Sequence, residues 1–116
     1  MSKYIALIYR AEAQMPEPNS PEWGRLMQAY NAYAEDAGKS GVLKDGHPLQ
    51  PVAMATTVRV RDGKTLTTDG PFAETKEQLG GYFILECRDL DEALDWAAKI
   101  PDAANGSIEV RPIGEM

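Results

Sequence analysis

Apolar residues along this chain fall into two rhythms, one of period two and one of three to four, and their alternation predicts the order of elements. From Lys3 to Arg10, Ile5, Leu7 and Tyr9 share one side and Tyr4, Ala6 and Ile8 the other. Both sides are largely apolar, so the pattern predicts a strand covered on both faces. Ala11 to Asn19 reads as a polar loop. Ser20-Pro21-Glu22 then supplies a helix start, with a hydroxyl cap, a proline at the first helical position and an acid in the first turn. Trp23, Leu26, Met27, Tyr30, Tyr33, Ala34 and Ala37 form one helical stripe, which ends near Gly38 or Gly41. Val42 to Pro51 reads as a connector, and Val52 to Arg61 alternates as a strand. Asp62-Gly63 supplies the positive φ that a two-residue hairpin turn needs, and Thr65 to Thr68 is the return strand. Tyr82 to Cys87 is the next strand. Asp89 and Glu92 form a capping-box-like pair before a second helix. That helix buries Leu90, Ala93, Leu94, Trp96, Ala97 and Ile100 and stops at Pro101, and Ser107 to Pro112 is the last strand.

This order predicts an α+β, ferredoxin-like βαββαβ fold with an extra hairpin, in a single domain over residues 1–116. Two helices cover only one face of such a sheet. The other face is too apolar to stay bare, so a two-fold homodimer with facing sheets is expected, with a cleft between sheet and partner.

Composition narrows the function classes. The 116 residues are 43% hydrophobic and 26% charged, ordinary for a globular chain. A net charge of -6 works against phosphate-backbone binding, so nucleic acid is not an expected partner. No apolar tract is long enough for a membrane helix, and the N-terminus reads as a strand, not a signal peptide. The single cysteine, Cys87, cannot form an internal disulfide and fits a reducing cytoplasm. No clustered ligands point to a metal, no phosphate-binding or nucleophile-elbow motif is present, and no cofactor is implied.

The densest chemistry lies in Asp69 to Tyr82, DGPFAETKEQLGGY, an expected ordered loop of about a dozen residues between strands. Asp69 caps the following turn or faces a ligand. His47, the only histidine, is the default proton-transfer candidate, since its type titrates near neutrality. Glu74, Lys76 and Glu77 form either a binding constellation or a set of solvent-facing charges that tie the loop down. Arg59 is a cleft cation, with Asp69 or Glu74 as its partner, if its strand face is the one toward the dimer. Tyr82 either packs in the core or offers its hydroxyl to the cleft.

The run DGPFAETKEQLGGYFILE, with ATTVRVRDGKTLTTDG before it and LDEALDWAAKIP and IEVRPI after it, closely resembles the DGPF proteins of the YCII-related superfamily. The resemblance implies a dimeric α+β barrel in a bacterial protein, without implying an established activity. It also implies a His-Asp pair in a cleft and a link to extracytoplasmic-function sigma factors. Two functions follow as expectations. The first is a cytoplasmic dimer that binds a small polar or anionic molecule near Asp69 to Tyr82, either by binding alone or with cofactor-free acid/base catalysis. In that reading Asp69 or His47 handles the proton and Arg59 or Lys76 holds the anion. The second is a non-catalytic regulatory partner in a sigma-factor system.

Overall fold

A computed structural model describes residues 1–114. Four strands form one antiparallel sheet: β1 (Ser2–Arg10), β2 (Leu43–Pro48), β5 (Gln78–Cys87) and β6 (Ser107–Pro112), in the order β2-β5-β1-β6. Helices α1 (Pro21–Lys39) and α2 (Leu90–Ala98) cover one face, giving the expected ferredoxin-like arrangement. Strands β3 (Thr56–Arg61) and β4 (Lys64–Asp69) form a separate two-stranded ladder. Asp62 and Gly63 both have positive φ, 53° and 73°, as the turn required.

The helix starts come from local hydrogen bonds. The Trp23 N–H donates to Ser20 Oγ at 3.2 Å, and the Glu92 N–H donates to Asp89 Oδ1 at 2.9 Å. In return Glu92 Oε1 accepts from the Arg88 N–H, one residue before the cap. The core lies between sheet and helices. Tyr4, Ala6 and Ile8 of β1 and Leu85 and Cys87 of β5 point into it, and Tyr33, Ala37, Ala93 and Ala97 meet them from the helices. Ile5, Leu7 and Tyr9 therefore point the other way, onto a face that no element among the described residues covers.

Several boundaries differ from expectation. The second strand of the sheet is Leu43–Pro48, inside the expected connector, because an edge strand tolerates glycine and a terminal proline. Val52–Met54 is a 3-10 turn after Pro51, so the alternating run yields a strand only from Thr56. β5 begins at Gln78, which shortens the expected loop to residues 70–77. Leu90 and Leu94 lie on the exposed side of α2, and Ile100 is buried beyond the helix end.

One buried polar trio clamps the body and went unanticipated. Arg10 at the end of β1 pairs with Asp102 Oδ1 at 2.5 Å, and the Tyr30 hydroxyl of α1 donates to Asp102 Oδ2 at 2.6 Å. Asp102 is 5% exposed in the 3-10 turn Pro101–Ala104. Burial, together with the bond to Asp102, holds the Tyr30 phenol far above its ordinary titration range.

Candidate functional site

Residues two apart on a strand share a face, and on β2 that rule joins Asp45 to His47. Gly46 between them sits where a Cβ would fall 2.4 Å from the Phe83 ring, so glycine lets that ring lie against the helix-side surface of β2. Asp45 and His47 are left on the uncovered face. There His47 Nε2 lies 3.1 Å from Asp45 Oδ1, and the two side chains are 63% and 57% exposed. Asp45 Oδ1 also accepts the Gly46 N–H at 2.9 Å, which holds the carboxylate in place.

Cross-strand register supplies the rest of the surface. His47 stands opposite Tyr82, with ring centroids 5.9 Å apart, and Tyr82 stands opposite Leu7, which stands opposite Glu109. The next row on this face runs Asp45, Ile84, Ile5 and Arg111. An apolar floor is thus flanked by the His47–Asp45 pair on one edge strand and by a Glu109–Arg111 ion pair, 2.7 Å apart, on the other. Asp45 Oδ1 lies within reach of the His47 imidazole, and the same ring faces Tyr82 across the strands. That is the arrangement a general base needs, an imidazole oriented by a carboxylate next to a surface on which a small molecule can rest.

The residues expected around residues 69–82 separate into two groups. His47 and Tyr82 come together on the sheet. Asp69 ends β4 opposite Thr56, exposed, and its carboxylate makes no hydrogen bond or ion pair among the described residues. The carboxylate beside His47 is Asp45. Arg59 lies on the opposite side of the hairpin from Asp69, its Nη2 3.5 Å from the Phe72 carbonyl oxygen, and it meets neither Asp69 nor Glu74. Glu74 and Lys76 are exposed in the 70–77 loop.

That loop is tied down by other groups. The Ser107 hydroxyl donates to Glu77 Oε1 at 2.8 Å, Gln78 Nε2 donates to the Thr75 carbonyl at 2.5 Å, and the Glu12 N–H donates to Gln78 Oε1 at 2.8 Å. The loop-tying role weighed for Glu77 is the one the geometry gives it. Asp45 was legible in principle, through its two-residue spacing from His47, once the segment is recognised as a strand. Among the described residues no group of three His, Cys, Asp or Glu side chains is placed to hold a metal ion. Among the described residues no helix is long and apolar enough to cross a membrane.

Comparison with known proteins agrees with this architecture. The model of the YCII-related domain matches residues 2–116. An uncharacterised protein of Rhizobium meliloti (strain 1021) is 39% identical over 112 residues, which is 95% of this chain and 90% of that protein. Among solved structures, the chain resembles 5-chloro-2-hydroxyhydroquinone dehydrochlorinase (TftG) from Burkholderia phenoliruptrix AC1100, in complex with 2,5-dihydroxybenzoquinone. The TM-score is 0.52 at 15% identity, over 98% of this chain and 95% of that one, a likeness of fold.

Proposed function

The chain belongs to the YCII-related domain family, and from that premise and the His47–Asp45 geometry we propose a small-molecule site on the uncovered sheet face, with cofactor-free acid/base chemistry. The single observation that carries this reading is the 3.1 Å approach of His47 Nε2 to Asp45 Oδ1, beside Tyr82. His47 takes a proton from a hydroxyl or an acidic carbon of the bound molecule, and Asp45 holds the ring and stabilises the imidazolium that forms. The apolar floor of Leu7, Ile5 and Ile84 suits a flat ring, and the charged edges suit ionisable oxygens. The substrate class is therefore a small cyclic compound carrying hydroxyl or oxyanion groups. A ferredoxin-like neighbour that holds a dihydroxybenzoquinone supports that class by analogy of fold. The string Asp69-Gly70-Pro71-Phe72 supports a reading of the chain as a DGPF-type member of the family.

His47 is the only histidine, so its ring gives a single Cε1–H signal in a carbon-proton NMR spectrum. Titration with 2,5-dihydroxybenzoquinone is expected to move that signal saturably in the native protein. Asp45→Asn weakens the binding about tenfold or more, the size of one charge-assisted contact. A His47 signal that stays still up to millimolar quinone would sink the proposal, as would an Asp45→Asn variant that binds like the native chain.

A further inference from the structure

Charge on the uncovered sheet face is unevenly placed. Ile108 and Val110 of β6 pack against the core, so Glu109 and Arg111 stand on the uncovered face beside Leu7 and Ile5. Alternation along β1 adds Lys3 and Tyr9 to the same face. Lys3 is exposed and makes no ion pair among the described residues. The other carboxylates along this face are engaged, since Glu86 lies 3.7 Å from Lys44 and Glu77 accepts from the Ser107 hydroxyl.

The bond that holds Arg111 leaves part of its fork open. Nε donates to Glu109 Oε2 at 2.7 Å, and the two Nη groups make no hydrogen bond among the described residues. The same bond raises the Arg111 pKa, and the Tyr9 phenol adds to that rise. Glu109 belongs to the row of His47, Tyr82 and Leu7, so it ties the guanidinium to the row that ends in the imidazole. A guanidinium with two free N–H groups at its end matches a carboxylate through two parallel bonds.

The width of the sheet sets the size of what fits between these groups. β2 and β6 are its two edges, and three strand spacings put them about 14 Å apart. Two hydrogen bonds of about 2.9 Å take up less than half of that interval. One six-membered ring, with a hydroxyl at one end and a carboxylate at the other, fills the rest and lies over Tyr82 and Leu7.

We propose that Arg111 is the carboxylate anchor of the His47 shelf and that the ligand is a hydroxylated aromatic acid. Its hydroxyl meets His47, its carboxylate takes the two Nη groups of Arg111, and Lys3 adds positive charge from the neighbouring strand. This deepens the reading of the shelf as a small-molecule site and rests on it.

The test compares 4-hydroxybenzoate with 4-hydroxybenzamide, which keeps the ring and hydroxyl without the charge. Affinities are measured by calorimetry on the full chain while the His47 Cε1–H signal is followed. The acid is expected to bind the native chain about tenfold or more tightly than the amide, the size of a charge-assisted fork. Arg111→Met brings the acid down to the affinity of the amide and leaves the amide unchanged. Arg111→Lys, which keeps the charge without the fork, recovers part of the preference. The Arg111 side chain is 67% exposed at a sheet edge, so both variants are expected to keep the native urea midpoint. Equal affinity for acid and amide, a preference undiminished in Arg111→Met, or an acid that does not bind at millimolar concentration overturns the proposal. Acid binding that depends on Arg111 while the His47 signal stays still keeps the anchor and removes the proton-handling role of His47. A His47 signal that moves alike with acid and amide, at equal affinity, removes the anchor and keeps that role.

Discussion

The helix-backed sheet and the β3–β4 arm are built from the same kind of strand and reach opposite ends of the burial scale. In the body Ala6, Leu85, Cys87 and Ala93 are fully enclosed, and the cross-strand neighbours and helix faces that enclose them belong to the same chain. In the arm every residue but Thr57 is exposed, and Val58, Val60 and Leu66 face outward. A two-stranded hairpin alone is marginal in water. What holds the arm straight is local: β-branched residues on both strands, the Asp62-Gly63 turn, and the bonds at its base from the Gly70 N–H to Ala55 and from Thr57 to Gly70. The body's sequence is explained by contacts within one chain. Among the described residues the arm's valines have no such explanation.

The sharpest way to break this contrast is to remove the carboxylate that locks the body. In Asp102→Ala the Arg10 guanidinium stays largely enclosed without its anion and the Tyr30 hydroxyl loses its acceptor. Removing one partner of a buried pair costs about 3–5 kcal/mol. The loss is expected in urea unfolding and should not change with protein concentration, because all three groups lie in one chain. A cost below about 1 kcal/mol would mean that the trio is not the clamp described.

The arm should respond differently. Val58→Asp with Val60→Asp touches nothing in its own chain, so at high dilution its effect on unfolding is expected to stay within about 0.5 kcal/mol. If the valine side of the arm is a contact between copies of the chain, the native melting temperature rises with concentration, that of the variant does not, and up to about 1.5–3 kcal/mol per valine separates them at high concentration. An equal loss at every concentration would place the valines in the chain's own core and erase the distinction between the two regions.

The same distinction governs what could be foreseen. Features written in neighbouring residues were legible: both helix starts, the hairpin turn, and β6 from Ser107 to Pro112. The second sheet strand was not, because Asp45, Gly46, Pro48 and Pro51 have the composition of a turn, and only pairing with β5 makes Leu43–Pro48 a strand. The candidate site shows the same limit. His47 and Tyr82 could be singled out by type, and the register of β2 on β5 joins them. The carboxylate partner was sought at Asp69, where the motif is dense, and lies at Asp45, where a strand's two-residue repeat puts it. The Arg10–Asp102–Tyr30 trio joins positions 92 and 72 residues apart, and no local rhythm records such a meeting.

The smallest effect probes the body from within. The Tyr33 hydroxyl is buried with no hydrogen-bond partner among the described residues. Burial, with the Cys87 thiol nearby, raises its pKa well above the ordinary 10.0. The folded chain therefore keeps this proton where the unfolded chain releases it, so the associated stability is whole below pH 10 and falls as pH rises past it. Tyr30 is shifted in the same direction and adds to the same alkaline decline. Tyr33→Phe discards an unpaired hydroxyl while keeping the ring that packs 5.2 Å from Phe83. At neutral pH it is expected to be neutral or to gain up to about 1 kcal/mol, since no bond is lost. Above pH 10 its urea midpoint should fall less steeply than that of the native chain, with the residual slope left by Tyr30. A variant less stable than the native chain by more than about 1 kcal/mol would mean that the hydroxyl has a partner inside the body, and the core would then be less purely apolar than its burial implies.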